Sequence, residues 1–248
     1  MMKNKLPSII MMGVILLLWQ GIALVINAHY ILPSPVQIIV KLWELREPLV
    51  LVHLPATFGV TFIGLGISIV FGICLAVVMD WNPLIKQAFY PIIIGSQTIP
   101  TTAIAPLFVL WFGYSIWSRV LVTILITFFP ITVAVYDGLK SSKREMEELL
   151  YTYGAGKKDI FYKVKIPSAL PYFFSAIKMA IPLSIIGAAI GEWLGAQSGL
   201  GYFSKRMMTQ LDGAGVFAPI VLMSGVAMLL VYLVSKLEDR WIGWRNEL

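Results

Sequence analysis

Six runs of apolar sequence, each about as long as a bilayer is thick, constrain this chain more than any other feature. They are residues 7–28, 56–79, 88–118, 120–136, 172–195 and 213–235. About 20 apolar residues in a helix cross the hydrocarbon core. In lipid the backbone must satisfy its own hydrogen bonds, so each run is expected to be helical. Hydrophobic residues make up 58% of the chain, charged residues 13%, and the mean hydropathy is +0.84. A soluble domain carries about 25% charged residues. The expected fold class is therefore an all-α membrane protein with six transmembrane helices. A cleaved signal peptide is the alternative for the first run, but the run is long and Ile26 before Ala28 suits cleavage poorly.

The basic residues set the expected orientation. With the N-terminus inside, the external segments carry Lys41, Arg46, Arg119, Lys205 and Arg206, and the other 14 of the 19 basic residues fall to the cytoplasmic side. Both termini and the loop between the fourth and fifth runs are then cytoplasmic. The net charge of +6 reads as topology rather than nucleic-acid binding. Cys74 stands alone in an apolar run, which excludes an intrachain disulfide. His29 and His53 are isolated, and no metal site is suggested.

Several runs are interrupted by residues that carry information. ILPSP at 31–35 should be extended, and Val36–Glu44 should form a short amphipathic external helix. The uncharged run from 88 to 118 is too long for one simple helix, and Gln97-Thr98-Ile99-Pro100-Thr101-Thr102 breaks it with polar residues and a proline. Irregular backbone at membrane depth is tolerated only against protein or a watery cavity. Gln97, Thr98 and Thr101 are therefore candidates for a translocation pathway; a proline kink between packed helices is the alternative. In the fifth run Gly187, Gly191 and Gly195 share one face suited to close helix packing. The same run holds Glu192. A charge at mid-membrane costs about 2.5–3.5 kcal/mol on insertion scales, so it usually faces a bundle interior or water. Glu192 and Trp193 are further pathway candidates; a structural ion pair or a place near the interface is the alternative.

The polar loop at 139–171 contains the most specific motif. Ser142 and Glu145 have capping-box spacing, so a helix should start near Lys143. Gly154 should stop it. Met146, Leu149, Leu150 and Tyr153 fall on one apolar stripe. A second short segment should run from Lys157 to Val164, with Pro167 and Pro171 leading into the fifth run. Glu148-Leu149-Leu150, three residues, Gly154, nine residues, then Val164-Lys165-Ile166-Pro167 resembles the E-A-A…G…I-x-L-P loop of the permeases of ATP-driven, binding-protein-dependent importers. Leu149 and Leu150 replace the two alanines, Val164 the isoleucine and Ile166 the leucine, all apolar. The resemblance extends over most of the chain from about residue 56.

That resemblance implies a type I importer permease architecture. Residues 1–55 would form the first span and an external connection, and 56–248 the permease core. It implies that Glu148, Leu149, Leu150, Tyr153, Gly154, Ala155, Phe161 and Pro167 form a coupling element seated in a cytoplasmic ATPase subunit. ATP and magnesium would bind in that partner, an external binding protein would deliver the substrate, and the location would be a bacterial inner or plasma membrane. One chain supplies one coupling loop and a two-fold ATPase pair needs two, which points to a homodimer; the small-residue face of the fifth run is a candidate for its symmetry axis. ILPSP and GEWLGAQSGLGY look like the nitrate, sulfonate and taurine branch, and Gly-Glu-Trp resembles members that handle thiamine pyrimidine precursors or riboflavin. The expected substrate is a small organic nutrient. Gly154-Ala155-Gly156-Lys157-Lys158 is not a phosphate loop, since Tyr151 and Lys158 stand where glycine and Ser/Thr are needed. With no paired catalytic groups, an intramembrane enzyme or an autonomous channel is the weaker alternative.

Overall fold

The computed structural model describes residues 6–28 and 30–243. Lys3, Lys5, His29 and Arg245, read above for topology or metal binding, lie outside the described residues. Ten helices account for nearly all of the rest: α1 (Leu6–Ile26), α2 (Pro35–Glu44), α3 (Arg46–Trp81), α4 (Pro83–Ser96), α5 (Thr101–Phe112), α6 (Ile116–Lys140), α7 (Arg144–Thr152), α8 (Lys157–Gly195), α9 (Leu200–Thr209) and α10 (Gly213–Trp241). No strand occurs among the described residues.

Five helices are long and apolar enough to cross a membrane, and α4 with α5 make a sixth pass bent by 101°. The bend falls at 97–100, where the polar interruption was expected. The pair does carry the chain across. Asn82 follows the end of α3 directly, whereas Tyr114 lies against Gly195 at the far end of α8.

The core is a three-helix stack of α3, α6 and α8, with α6 in the middle. Glycines let the backbones close. A Cβ on Gly64 would come within 2.6 Å of the Thr123 side chain, and one on Gly187 within 2.8 Å of the Thr123 Cα. One on Gly191 would sit 2.9 Å from the Arg119 Cα, and one on Gly195 would enter the Tyr114 ring. The three-glycine face is thus filled from the same chain, by α6 and by Tyr114 just before it. It is not free to form a symmetry axis, which corrects that expectation. Ser68 and Thr127 hydroxyls bond at 2.7 Å inside the same stack.

Two helix boundaries differ from the sequence-based ones, for one reason. α3 begins at Arg46 rather than at residue 56, so residue 55 lies within a helix and not at a linker. α8 begins at Lys157 and runs unbroken through Pro167 and Pro171. Pro55 and Pro167 are of the residue type that ordinarily ends a helix, because proline lacks an N–H and crowds the carbonyl four residues back. In each case a π turn precedes the proline. The Leu54 N–H reaches the Leu49 carbonyl and the Ile166 N–H reaches the Phe161 carbonyl, five residues back. The wider turn loosens the coil where the ring must fit, and the helix continues. Two of the basic residues counted above for topology lie within spans. Lys178 sits on α8 and pairs with Glu238 of α10, and Arg119 lies inside α6.

The periphery is lighter. α2 starts with the capping box Ser34–Gln37. Trp19 of α1 donates to the Pro33 carbonyl at 3.1 Å, and Lys41 of α2 pairs with Asp212 at 2.9 Å, fixing α2 beside the start of α10.

Candidate functional site

α7 forms a small platform at one end of the bundle. Its start differs from the expected capping box. Lys143 is the N-cap, and the Ser142 hydroxyl donates to the Glu147 carboxylate, with the Leu139 carbonyl at 3.4 Å. The S-x-x-E spacing is present, but the hydroxyl is taken by a carboxylate further along. Glu145 and Glu147 lie in the first turn, where negative charge suits the helix dipole. The end is as expected. Gly154 has φ +81°, its N–H reaches Tyr151, and the Ala155 N–H reaches Leu150, a Schellman cap.

No residue of α7 is buried. Leu149 is 50% exposed, Tyr153 just beyond it 81%, Met146 is exposed and Leu150 half-buried. The expected stripe therefore touches little within the chain. Glu148 is exposed and pairs with Arg144 at 2.8 Å. The rest of the motif is held. Phe161 is buried with its ring edge-on to Trp81 at 5.4 Å, Ala155 is half-buried, and Pro167 lies in the first turn after the π turn. Between α7 and the root of α8 lies a cavity of about 410 Å³, lined by Trp81, Glu147, Tyr151, Lys157, Lys158 and Phe161 among others.

The bend between α4 and α5 forms a second feature. Gln97 and Thr101 line a pocket of about 230 Å³ against Ile126, Phe129 and Pro130 of α6. Thr98 is not among its walls, and its hydroxyl donates to the Gly95 carbonyl at 2.7 Å. Nor is Glu192.

Glu192 instead belongs to the opposite end of the bundle from α7. It is 1% exposed, and one carboxylate oxygen accepts the Gly201 N–H at 2.7 Å. The two preceding N–H groups are captured as well. Gly199 donates to His53 Nδ1 at 3.1 Å and Leu200 donates to Thr57 Oγ1 at 2.7 Å. Three consecutive backbone donors at the start of α9 are thus met by side chains from α3 and α8. A helix start leaves such donors free, and a carboxylate there also meets the positive end of the helix dipole. Trp193 is half exposed, and its carbonyl accepts from Lys205 Nζ at 2.6 Å. The structure therefore brings together Glu192, His53 and Thr57, and leaves the 97–101 bend separate. His53 and Thr57 escaped the sequence reading because nothing local marks them; their partners lie more than 140 residues away. No group of three or more metal-binding side chains occurs among the described residues.

Comparison with known proteins identifies the family. Residues 68–244 match the family described as binding-protein-dependent transport system inner membrane component. The chain belongs to that family. It is 53% identical to the formylaminopyrimidine transport permease protein ThiX of Halalkalibacterium halodurans, over 94% of this chain and 93% of that one. It is 31% identical to the riboflavin transport system permease protein RibX of Chloroflexus aurantiacus, over 96% and 89%. Among solved structures, the inward-facing MetNI methionine ABC transporter matches with a TM-score of 0.57 and 22% identity, over 82% of this chain and 93% of that one. The protein is thus an inner-membrane importer permease subunit and not an enzyme, with the fold of type I permeases.

Proposed function

We propose that two copies of this chain form the pore of an importer for a small pyrimidine of the formylaminopyrimidine kind, with α7 docked into a cytoplasmic ATPase. The observation that carries the coupling role is the stripe of α7. It is an ordered apolar surface on a polar platform, and among the described residues almost nothing covers it. Orientation follows from the distribution of basic residues, with α7 and both termini inside. ATP and magnesium bind in the partner, and closure of two ATPase subunits moves α7 as a rigid body, switching access to the pathway. Gln97 and Thr101, in their pocket at the bend, are the polar groups proposed to line that pathway. The high identity to ThiX along nearly the whole chain supports the substrate class, and an external binding protein delivers it.

The test is co-purification and uptake. Leu149→Glu with Tyr153→Glu should leave the melting temperature of the purified chain unchanged and abolish recovery of the ATPase. Retention of the ATPase by that variant would overturn the docking role. Uptake of labelled formylaminopyrimidine into proteoliposomes holding the whole transporter should be competed by the unlabelled compound. Uptake unaffected by a large excess of it would overturn the substrate class.

A further inference from the structure

The two roots of the α7 loop converge on one carboxylate. Asp80, the penultimate residue of α3, has a side chain only 1% exposed. Lys140, the last residue of α6, places its ammonium 2.9 Å from one oxygen. Lys165, the last residue of the π turn in α8, lies 2.9 Å from the other oxygen and 3.1 Å from the first. Lys140 and Lys165 stand on the two sides of the 141–156 segment. The neighbouring Trp81 meets Phe161 edge-on. The end of α3 therefore grips both roots, ionically at Asp80 and by ring contact at Trp81.

The arrangement exceeds what a surface ion pair explains. A buried carboxylate needs its cations, and removing one side leaves charge uncompensated. The lysines also have clear geometric reasons to be there. The π turn ends on Lys165, so its extra residue sets the direction from which that side chain approaches. Lys140 lies 6.0 Å from the Tyr136 ring centroid, close enough for a weak cation–π contact on its way to Asp80.

We propose that Asp80 is a positioning residue of the transport cycle: by holding Lys140 and Lys165 on one carboxylate, it makes both roots of the α7 loop move with the end of α3, so that a displacement of α7 reaches the bundle. This rests on the reading of α7 as the ATPase-docking element. α3 and α6 are neighbours in the three-helix stack, and α8 is the third member. One carboxylate thus joins the loop to all three core helices. Without it the ionic part of that grip is lost and the Trp81–Phe161 ring contact remains, so more of the loop's motion can be absorbed by the 141–156 segment.

The experiment uses the whole transporter in proteoliposomes, with its ATPase and liganded binding protein, and reads solute imported per ATP hydrolysed. Asp80→Asn is expected to keep the ATPase bound and hydrolysing while the ratio falls about tenfold, within the usual range of coupling effects. Asp80→Glu should restore most of the ratio, which a merely space-filling role would not require. Lys140→Met and Lys165→Met should each give a smaller loss, and the double variant no more than Asp80→Asn. An assembled Asp80→Asn transporter with an unchanged ratio overturns the proposal. If Asp80→Asn does not assemble, Lys140→Met decides, because it leaves the Asp80–Lys165 pair intact; an unchanged ratio there overturns the proposal too. A wild-type chain that retains no ATPase overturns the docking reading itself, an outcome seen before any variant is made.

Discussion

The two ends of the bundle are anchored by the same plan and different chemistry. At each end a π turn precedes a proline, and its last residue supplies an anchoring side chain: His53 before Pro55, Lys165 before Pro167. At the end away from α7, His53, Thr57 and Glu192 grip the backbone of 199–201 directly. At the α7 end, two lysines reach one aspartate through long flexible stems. Short side chains bonded to backbone leave α9 little room to shift without breaking a bond. Those ion contacts run from side chain to side chain and hold the ends of α3, α6 and α8 to one another without bonding them to loop backbone, so the three can be displaced together. The contrast separates a fixed end from one built to move as a unit.

Stability measurements on the purified chain can break that contrast. The largest effect is expected from Gly199→Ala. Gly199 has φ +120°, which a side chain tolerates poorly, and its Cβ would enter the Glu192 carboxylate. Strain and overpacking together should cost about 3 kcal/mol. A melting temperature equal to wild type would mean that this end has slack, and the comparison would fall.

Glu192 gives the next largest effect and sharpens the chemistry. Glu192→Ala leaves the buried Gly201 N–H without an acceptor and should cost about 2 kcal/mol. Glu192→Gln keeps an oxygen in place and should lose less than half of that. If the two variants melt together, the carboxylate is not acting as the cap. Transport by Glu192→Gln at wild-type rate would further place Glu192 outside the pathway.

The smallest effect belongs to the Lys41–Asp212 tie between α2 and the start of α10. Burial alone would raise the Asp212 carboxyl, but the Gly215 N–H and the Lys41 ammonium outweigh it and hold it below its ordinary 3.8. The hydrogen bond to Asp212 raises Lys41 above its ordinary 10.5, against the opposing effect of burial. The carboxylate's contribution is therefore present above pH 3.8 and lost as pH falls through its lower folded value. The lysine's is present below pH 10.5 and lost as pH rises through its higher one. Asp212→Asn can still cap Gly215, so it isolates the ion pair. It should cost about 0.5 kcal/mol at pH 7, given solvent screening, with the difference from wild type vanishing in strong acid. A difference that persists below the folded value would refute the assignment.

Much of this was legible in the sequence, for physical reasons. Apolar run length gave the spans, because lipid leaves the backbone few options. The stripe of α7 and the stop at Gly154 were legible because both are local patterns. Two boundaries were not. Pro55 and Pro167 carry the same local signal as true breakers, and only the hydrogen-bond register shows that the coil widens to admit them. Ser142 shows the limit of a spacing motif, since Glu147 captures its hydroxyl. Nothing local marks the role of Asp80, because the lysines that define it lie 60 and 85 residues further on. The three glycines of α8 told of close packing but not of the partner helix.

The openness of α7 has one more consequence. Its outward residues do almost nothing for the fold, since none of the nine in the helix is buried. They can be rewritten without disturbing the membrane bundle. Exchanging residues 144–153 between relatives should therefore readdress a permease from one motor to another, while the clamp behind them remains common stock.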